Sequence, residues 1–255
     1  MKKGLFLALL MMACLATAAF ASGHGSAHGG AVHWGYHGDI GPAHWGDLSP
    51  DFHMCKDGKS QTPIDIVGAV DVDQPALNFN YEGTTLSVIN NGHTIKANYG
   101  EGSSINVDGK TYQLLQFHFH SLSENKVEGS YFPLEAHLVH QGADGSLAVV
   151  SVLFEEGAGN PLLERLWGFT PSKVNSTTTV TTSSINVSDL LPESADYYGF
   201  TGSLTTPPCT EGVKWMVLQN PVTVSPAQIA KFRSFFNDLE TKRPIQALNG
   251  RVIYK

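Results

Sequence analysis

The chain has 255 residues, enough for one large domain, and carries 16 Lys and Arg against 23 Asp and Glu, a formal charge of −7. An acidic chain without a basic block lacks the clustered cations that contact nucleic-acid phosphates. Beyond the first twenty residues no segment approaches the roughly 18 consecutive apolar residues of a membrane span, so no membrane span is expected.

The N-terminus reads as an export signal. Lys2 and Lys3 form a positive start, residues 5–19 an apolar run, and Ala19-Phe20-Ala21 a small-x-small cleavage site. Residues 1–21 are therefore expected to be removed after Ala21, which takes the charge to −9 and implies a periplasmic or secreted, bacterial protein. A lipidated Cys14 is the rival reading, and Met11-Met12-Ala13 fits that signal poorly. Residues 22–33 are rich in Gly and His, have little to bury, and are expected to form a flexible tail before a domain over 34–255. Histidine-rich tracts can bind metals, although a solvated, silent extension explains this one as well. With Cys14 removed, Cys55 and Cys209 remain, an even count that favours a disulfide in an exported chain, with two buried thiols as the alternative. A bridge closing so long a loop stabilises by roughly 5 kcal/mol in the chain-entropy model.

Further along, strand patterns dominate. Residues 84–89, 111–120, 134–141, 147–154 and 214–224 are rich in β-branched, aromatic and alternating side chains. Asn91-Gly92 is by itself a tight-hairpin signal. Two helices are expected. One is capped by Asn160 and opened by Pro161, with Leu162, Leu163, Leu166 and Trp167 at helical spacing. The other starts at the capping-box-like Ser225-Pro226-Ala227-Gln228 and continues through Ile229, Phe232, Phe236 and Leu239. Residues 172–188, rich in Thr and Ser, read as loop or edge strand. Asn175-Ser176-Thr177 and Asn186-Val187-Ser188 match the glycosylation acceptor pattern, which is short enough to arise by chance.

The most informative run is Gln116-Phe117-His118-Phe119-His120, followed later by Glu135-Ala136-His137. Side chains two apart in a strand share a face about 6.6 Å apart, so His118 and His120 can converge while Phe117 and Phe119 point to the opposite layer. A third imidazole from a neighbouring strand, about 4.8 Å away, completes a set that suits Zn²⁺ and leaves one position for water. His140 lies three residues from His137, on the other face, and is excluded. Gln116 and Glu135 each sit two residues before a ligand and on its face.

These segments, with Trp34-Gly35-Tyr36, Ser60-Gln61-Thr62-Pro63-Ile64-Asp65-Ile66, Asn91-Gly92-His93 and Gly202-Ser203-Leu204-Thr205-Thr206-Pro207-Pro208, resemble the α-class carbonic anhydrases in sequence and order from about Trp34 to the C-terminus. The resemblance implies a mainly β (α+β) single domain on a large twisted, mostly antiparallel sheet with short peripheral helices. It places His93 in an extended stretch lining the cavity. The activity implied is reversible hydration of CO₂ to bicarbonate and a proton by zinc-bound hydroxide, the known chemistry of carbonic anhydrases. By resemblance, Zn²⁺ is held by His118, His120 and His137, with Gln116 and Glu135 accepting from His118 and His137. A backbone carbonyl is left to serve His120. Thr205 orients the hydroxide and is itself bonded to Glu124, and Thr206 lines the bicarbonate side. Val139, Val149, Leu204 and Trp215 form the apolar CO₂ wall. His93 is the proton shuttle and Tyr36 orders the intervening waters. The partner implied is the small-molecule substrate, with a homodimer left open. Departures are Ser121 and a short segment to Glu124, and Lys96 and Phe200 where animal members often carry Asn and Tyr. A catalytically silent binding module and a zinc-storing protein are the rivals. The intact triad argues against the first, and Thr205 with Glu124 against the second.

Overall fold

The computed structural model describes residues 32–255. The expected signal peptide, Cys14 and residues 22–31 of the expected tail, including His24 and His28, lie outside the described residues. The strands are, in chain order, β1 (Asp65–Ile66), β2 (Asn78–Asn80), β3 (Thr84–Asn90), β4 (Ile95–Asn98), β5 (Ser104–Val107), β6 (Lys110–His120) and β7 (Lys126–Val127). They continue with β8 (Leu134–Gly142), β9 (Leu147–Glu156), β10 (Ser176–Ile185), β11 (Tyr197–Ser203), β12 (Glu211–Leu218) and β13 (Val222–Val224). Eleven of them form one sheet whose main path runs β10-β3-β4-β6-β8-β9-β12-β11, while β1 and β7 pair separately. The large sheet is antiparallel except where β12 and β13 run parallel to β9.

Why these residues make this sheet follows from burial on two faces. The central strands β8 and β9 are buried almost throughout, and their near-continuous apolar runs suit a sheet covered on both sides. On one face Phe117, Phe119, Leu138, Val150 and Val152 pack with Leu163, Leu166 and Trp167 of α3 (Pro161–Phe169, following the four-residue helices α1, Trp45–Leu48, and α2, Met54–Asp57) and with Phe232 of α4 (Pro226–Ser234). On the other face Val139, Val149, Leu153, Val213, Trp215 and Val217 form a second cluster with Ile64, Ile66 and Phe200. The Thr-rich β10 is the sheet edge, half-exposed and interrupted by a register shift between Val180 and Ser184, features that keep an edge from recruiting another strand.

Both helix starts are as the sequence predicts. Asn160 Oδ1 accepts from the N–H groups of Leu162 and Leu163 at 3.0 and 3.2 Å. Ser225 and Gln228 form the reciprocal capping box, and Gln228 also bonds the backbone of Asn160 in both directions, joining the two helix N-termini. The second helix is shorter than its pattern implies. It ends at Ser234, so Phe236 is buried from a turn and Leu239 is half exposed. The run 214–224 is two strands, because Pro221, which has no N–H to offer a ladder, stands between β12 and β13.

Asn91-Gly92 also corrects an expectation. His93 is not in an extended stretch: β3 and β4 form an antiparallel hairpin closed between Asn90 and Ile95, and His93 sits in its loop. Gly92 has φ +83°, and Asn91 Oδ1 accepts from the N–H groups of His93 and Thr94 at 2.9 and 2.8 Å. The local turn chemistry therefore prevails over the resemblance. The strands β4, β5 and β11 carry no strong pattern of their own and are additions to the sequence reading.

Cys55 and Cys209 are joined in a disulfide, with Cα atoms 5.0 Å apart at a sequence separation of 154. Among the described residues no helix is long and apolar enough to cross a membrane. Reduction of the disulfide should lower folding stability by roughly 2–5 kcal/mol, read as a fall in the urea midpoint between the oxidised and the reduced protein. Equal midpoints would show that the bridge does not constrain the fold.

Candidate metal centre

The antiparallel register of β6 on β8 sets His118 directly opposite His137 and His120 opposite Glu135. The three imidazoles share one face, with ring centroids 4.7 to 5.3 Å apart, and one nitrogen from each lies within 4.8 Å of the others. Each ring is held from behind. His118 Nδ1 donates to Gln116 Oε1 at 2.9 Å, His120 Nδ1 to the Thr241 carbonyl at 2.5 Å, and His137 Nε2 to Glu135 Oε1 at 2.9 Å. A neutral imidazole that donates from one nitrogen presents a lone pair on the other, so two Nε2 atoms and one Nδ1 face the centre. Burial pushes the pKa of both His118 and His120 down, for His118 with help from the neighbouring His120 and His137. His120 Nε2 is buried with no hydrogen-bond partner. Three converging lone pairs, one of them orphaned in the interior, fit a divalent ion of zinc's preferences with an open fourth position.

Glu135 is the most heavily bonded group in the site. Besides His137 it accepts from the N–H groups of Glu124 (2.6 Å) and Asn125 (2.9 Å), from Asn125 Nδ2 (2.7 Å) and from Ser151 Oγ (2.6 Å). Burial alone disfavours its charge, but His137, Ser151 and Asn125 outweigh that and hold its pKa at about 2. Glu124 is the opposite case. Burial pushes it up to about 7, against the restraint of His137, the Thr205 hydroxyl and the Arg243 N–H, which donates to Oε1 at 2.8 Å. Its Oε2 lies 3.5 Å from His120 Nε2 and 3.9 Å from His137 Nδ1 and has no hydrogen bond.

The loop carrying Thr205 and Thr206 is fastened at both ends. Ser203 and Thr62 exchange hydrogen bonds at 3.0 Å, and Trp215 Nε1 donates to the Ser203 carbonyl at 3.0 Å. Only glycine fits at 202, because a Cβ there would collide with Thr62 Oγ1. Cys209 is held by the disulfide, and its carbonyl accepts from Gln61 Nε2 at 3.0 Å. Arg243, almost fully buried, donates to Gln61 Oε1, Thr62 O and Cys55 O and lies over the Trp45 ring.

In front of the triad is a cavity of about 150 Å³ lined by Tyr36, His93, Lys96, Gln116, His118 and Thr206, among others. His93 is half-buried and stacks on Trp34 with centroids 3.9 Å apart; its ring has no hydrogen-bonded partner among the described residues. Burial, then His33, lowers its pKa, while burial and Glu124 push the Tyr36 phenol well up and keep it neutral. The four expected wall residues lie together. Val139 is opposite Val149, which is opposite Trp215; Leu204 packs on their cluster, and Trp215 meets His137 edge-on at 4.9 Å. Larger depressions, of about 520, 490, 420 and 260 Å³, lie elsewhere among the described residues and have no histidine in their lining.

His140 faces the other side, buried against Tyr81 with Nε2 2.8 Å from its hydroxyl, as its exclusion requires. The residues that sequence reasoning missed are Asn125, Ser151, Thr241 and Arg243. Ser151 left a trace, a lone hydroxyl in the apolar run 147–154, directly across from His137 on the same face of the sheet. The other three left none: Asn125 lies in an irregular segment with no strand pattern, and Thr241 and Arg243 act through backbone groups far from the triad in sequence.

Residues 40–255 match the family model described as eukaryotic-type carbonic anhydrase. The chain is 46% identical over 253 residues to the carbonic anhydrase of Pectobacterium carotovorum, covering 99% of each. Among solved structures it is similar to the α-carbonic anhydrase of Thermovibrio ammonificans in complex with the inhibitor sulfanilamide, with TM-score 0.86, 46% identity, and 89% of this chain and 100% of that one covered. The α-carbonic anhydrase of Photobacterium profundum matches with TM-score 0.82 and 44% identity, over 88% of this chain and 100% of that one.

Replacing Glu135 by Ala would leave the donors of Asn125, Ser151 and two backbone N–H groups buried without an acceptor. The expected loss is roughly 3–5 kcal/mol in urea denaturation. Because the folded carboxyl titrates at about 2 and an unfolded one near 4.3, its contribution is fully present above about 4.3 and is lost as pH falls toward 2. In the metal-free protein Glu135→Gln should therefore flatten the acid limb of the stability profile across that window. An unchanged limb would show that Glu135 is not ionised in the fold.

Proposed function

The chain belongs to the eukaryotic-type (α) carbonic anhydrase family, enzymes of CO₂ hydration, and we propose that it works through a Zn²⁺ ion held by His118, His120 and His137. What carries this reading is the set of three inward lone pairs, each fixed by an acceptor behind its ring, with His120 Nε2 left without any partner. Bound zinc acidifies a coordinated water, as is known for carbonic anhydrases generally.

The remaining chemistry belongs to the chain. Glu124, with one oxygen tied to the Arg243 N–H and its pKa restrained by the neighbouring Thr205 hydroxyl, serves as the acceptor for that hydroxyl, which leaves the Thr205 oxygen free to accept a hydrogen bond from the attacking oxygen. That bond fixes where the nucleophile's lone pair points, and orientation of this kind lowers the barrier without any new charge. CO₂, small and apolar, is received against Val139, Val149, Leu204 and Trp215, and Thr206 borders the cavity where bicarbonate forms. His93, whose ring nitrogens have no hydrogen-bond partner among the described residues, carries the released proton outward through water ordered by Tyr36. A disulfide between Cys55 and Cys209 suits an oxidising compartment. With the signal-like residues 1–21, that supports export to the periplasm or beyond, with residues 22–33 as a tail and 34–255 as the catalytic domain.

The purified protein should contain about one Zn²⁺ per chain and hydrate CO₂, and His137→Ala should lose both; retention of metal and rate by that variant would overturn the ligand assignment. His93→Ala should lower kcat with kcat/KM nearly unchanged and be rescued by small imidazole buffers. Thr205→Ala should depress both parameters by roughly 10²-fold or more and resist rescue. Equal loss of kcat/KM in the two variants would remove the shuttle role from His93.

A further inference from the structure

The cavity in front of the triad has one charged residue in its lining. Apart from Lys96, the lining consists of aromatic, amide, hydroxyl and imidazole side chains, with no Asp or Glu. Lys96 lies on β4 as the register partner of His118 on β6, so the two side chains project from the same face of the sheet. It is half-buried. Lys96 has no carboxylate within ion-pair distance among the described residues, as is also true of Lys59, Lys126, Lys173, Lys231 and Lys255; what sets it apart is that it lines this cavity. Residues 1–31 contain no Asp or Glu that could supply one. Both acids beside the triad are engaged elsewhere: Glu135 bonds His137, Asn125 and Ser151, and Glu124 is directed at His120 and His137 and held from behind by Arg243. An ammonium has three donors and no acceptor. In this cavity it lacks an anionic partner from its own chain.

The setting gives that charge a purpose. The chain as a whole is acidic, at −7, and repels small anions at long range. A cation inside a partly enclosed cavity is screened less by salt than one on the open surface and acts locally. We propose that Lys96 is a specificity-determining residue of this cavity: its ammonium draws small monovalent anions, bicarbonate among them, to the space beside His118, while leaving uncharged CO₂ unaffected. The proposal rests on the reading of this cavity as the hydration site and adds to it a residue that discriminates by charge. The competing account of Lys96 is a side chain that covers apolar surface with its stem and keeps its head in water; it predicts no preference for anions.

The test compares the zinc-loaded wild type with Lys96→Gln and Lys96→Arg at constant ionic strength. Sodium thiocyanate is titrated calorimetrically into each, and each is assayed for CO₂ hydration with thiocyanate and with bicarbonate as inhibitors. Lys96→Gln should weaken thiocyanate binding and raise both inhibition constants by about three- to tenfold, the size expected for one partly screened charge at cavity distance. Lys96→Arg should stay within about twofold of wild type, and KM for CO₂ should be the same in all three. If Lys96→Gln binds thiocyanate as tightly as wild type while hydration persists, or if KM for CO₂ rises by the same factor, the charge of Lys96 does not select anions and the proposal fails. Absence of hydration in the wild type would instead overturn the function proposed for the site, and the calorimetric comparison would still decide whether Lys96 attracts anions.

Discussion

The site depends on one constraint, the register of β6 on β8, and a single irregularity in β6 sets which way its histidines point. Upstream, Tyr112 and Leu114 face the main core; downstream, Phe117 and Phe119 do. The inward positions change from even to odd, and the change occurs at the register shift between Leu114 and Gln116, where Leu115 is left largely exposed. Without that bulge the period-two alternation would continue, and His118 and His120 would be driven into the layer that Phe117 and Phe119 occupy. The aromatic pair and the triad are thus two outcomes of the same backbone step. The apolar side holds the register, because a slip of one residue would expose Phe117 and Phe119 and bury two imidazoles without acceptors.

On that frame the site keeps two buried carboxylates in opposite states. Glu135 and Glu124 are both fully buried, and desolvation acts on each in the same direction. The difference lies in the number of donors. Glu135 accepts from five groups and titrates at about 2, whereas Glu124 has one oxygen without a partner and titrates at about 7 in the absence of metal. Two carboxyls whose surroundings push them apart can serve different tasks. The pair is also coupled mechanically, since one of the donors to Glu135 is the backbone N–H of Glu124. The carboxylate that orients His137 therefore also fixes the chain that presents Glu124, so the proposed metal site and the proposed orienting glutamate share one anchor.

Much of this was legible in the sequence, and the reason is periodicity. Strand alternation alone puts His118 with His120 and Gln116, and Glu135 with His137 and Val139, on common faces. Caps at Asn160 and Ser225 marked helix starts because side-chain oxygens there answer backbone donors within three residues. What alternation could not convey is where the strands stop and what lies across from them. The hairpin at Asn91-Gly92 was signalled by its own turn residues, and the resemblance drew the reading away from it. Pro221 divided a run that composition joined. Thr241 and Arg243 were invisible because their work is done by a backbone carbonyl and a backbone N–H, groups every residue has, at positions fixed only by tertiary contacts more than a hundred residues distant.

Those irregular segments hold the cavity floor together. A loop must satisfy its buried polar groups without a ladder, and here each such obligation is met by a partner that the site needs. The Thr241 carbonyl takes the proton of His120, its hydroxyl takes the N–H of Ser121, and its own N–H returns to the Ser121 carbonyl. Two residues on, the Arg243 backbone restrains Glu124 while its guanidinium bonds Gln61, Thr62 and Cys55, three points on the segment that also fastens the Thr205 loop through Ser203 and the disulfide. One imidazole of the proposed metal site, the pair proposed to orient the nucleophile and the crosslink consequently converge on a stretch of three residues with no regular structure. Loosening any one of them releases buried donors or acceptors belonging to the others. In this protein the groups that stabilise the fold at the cavity floor and the groups that aim the chemistry are therefore largely the same atoms.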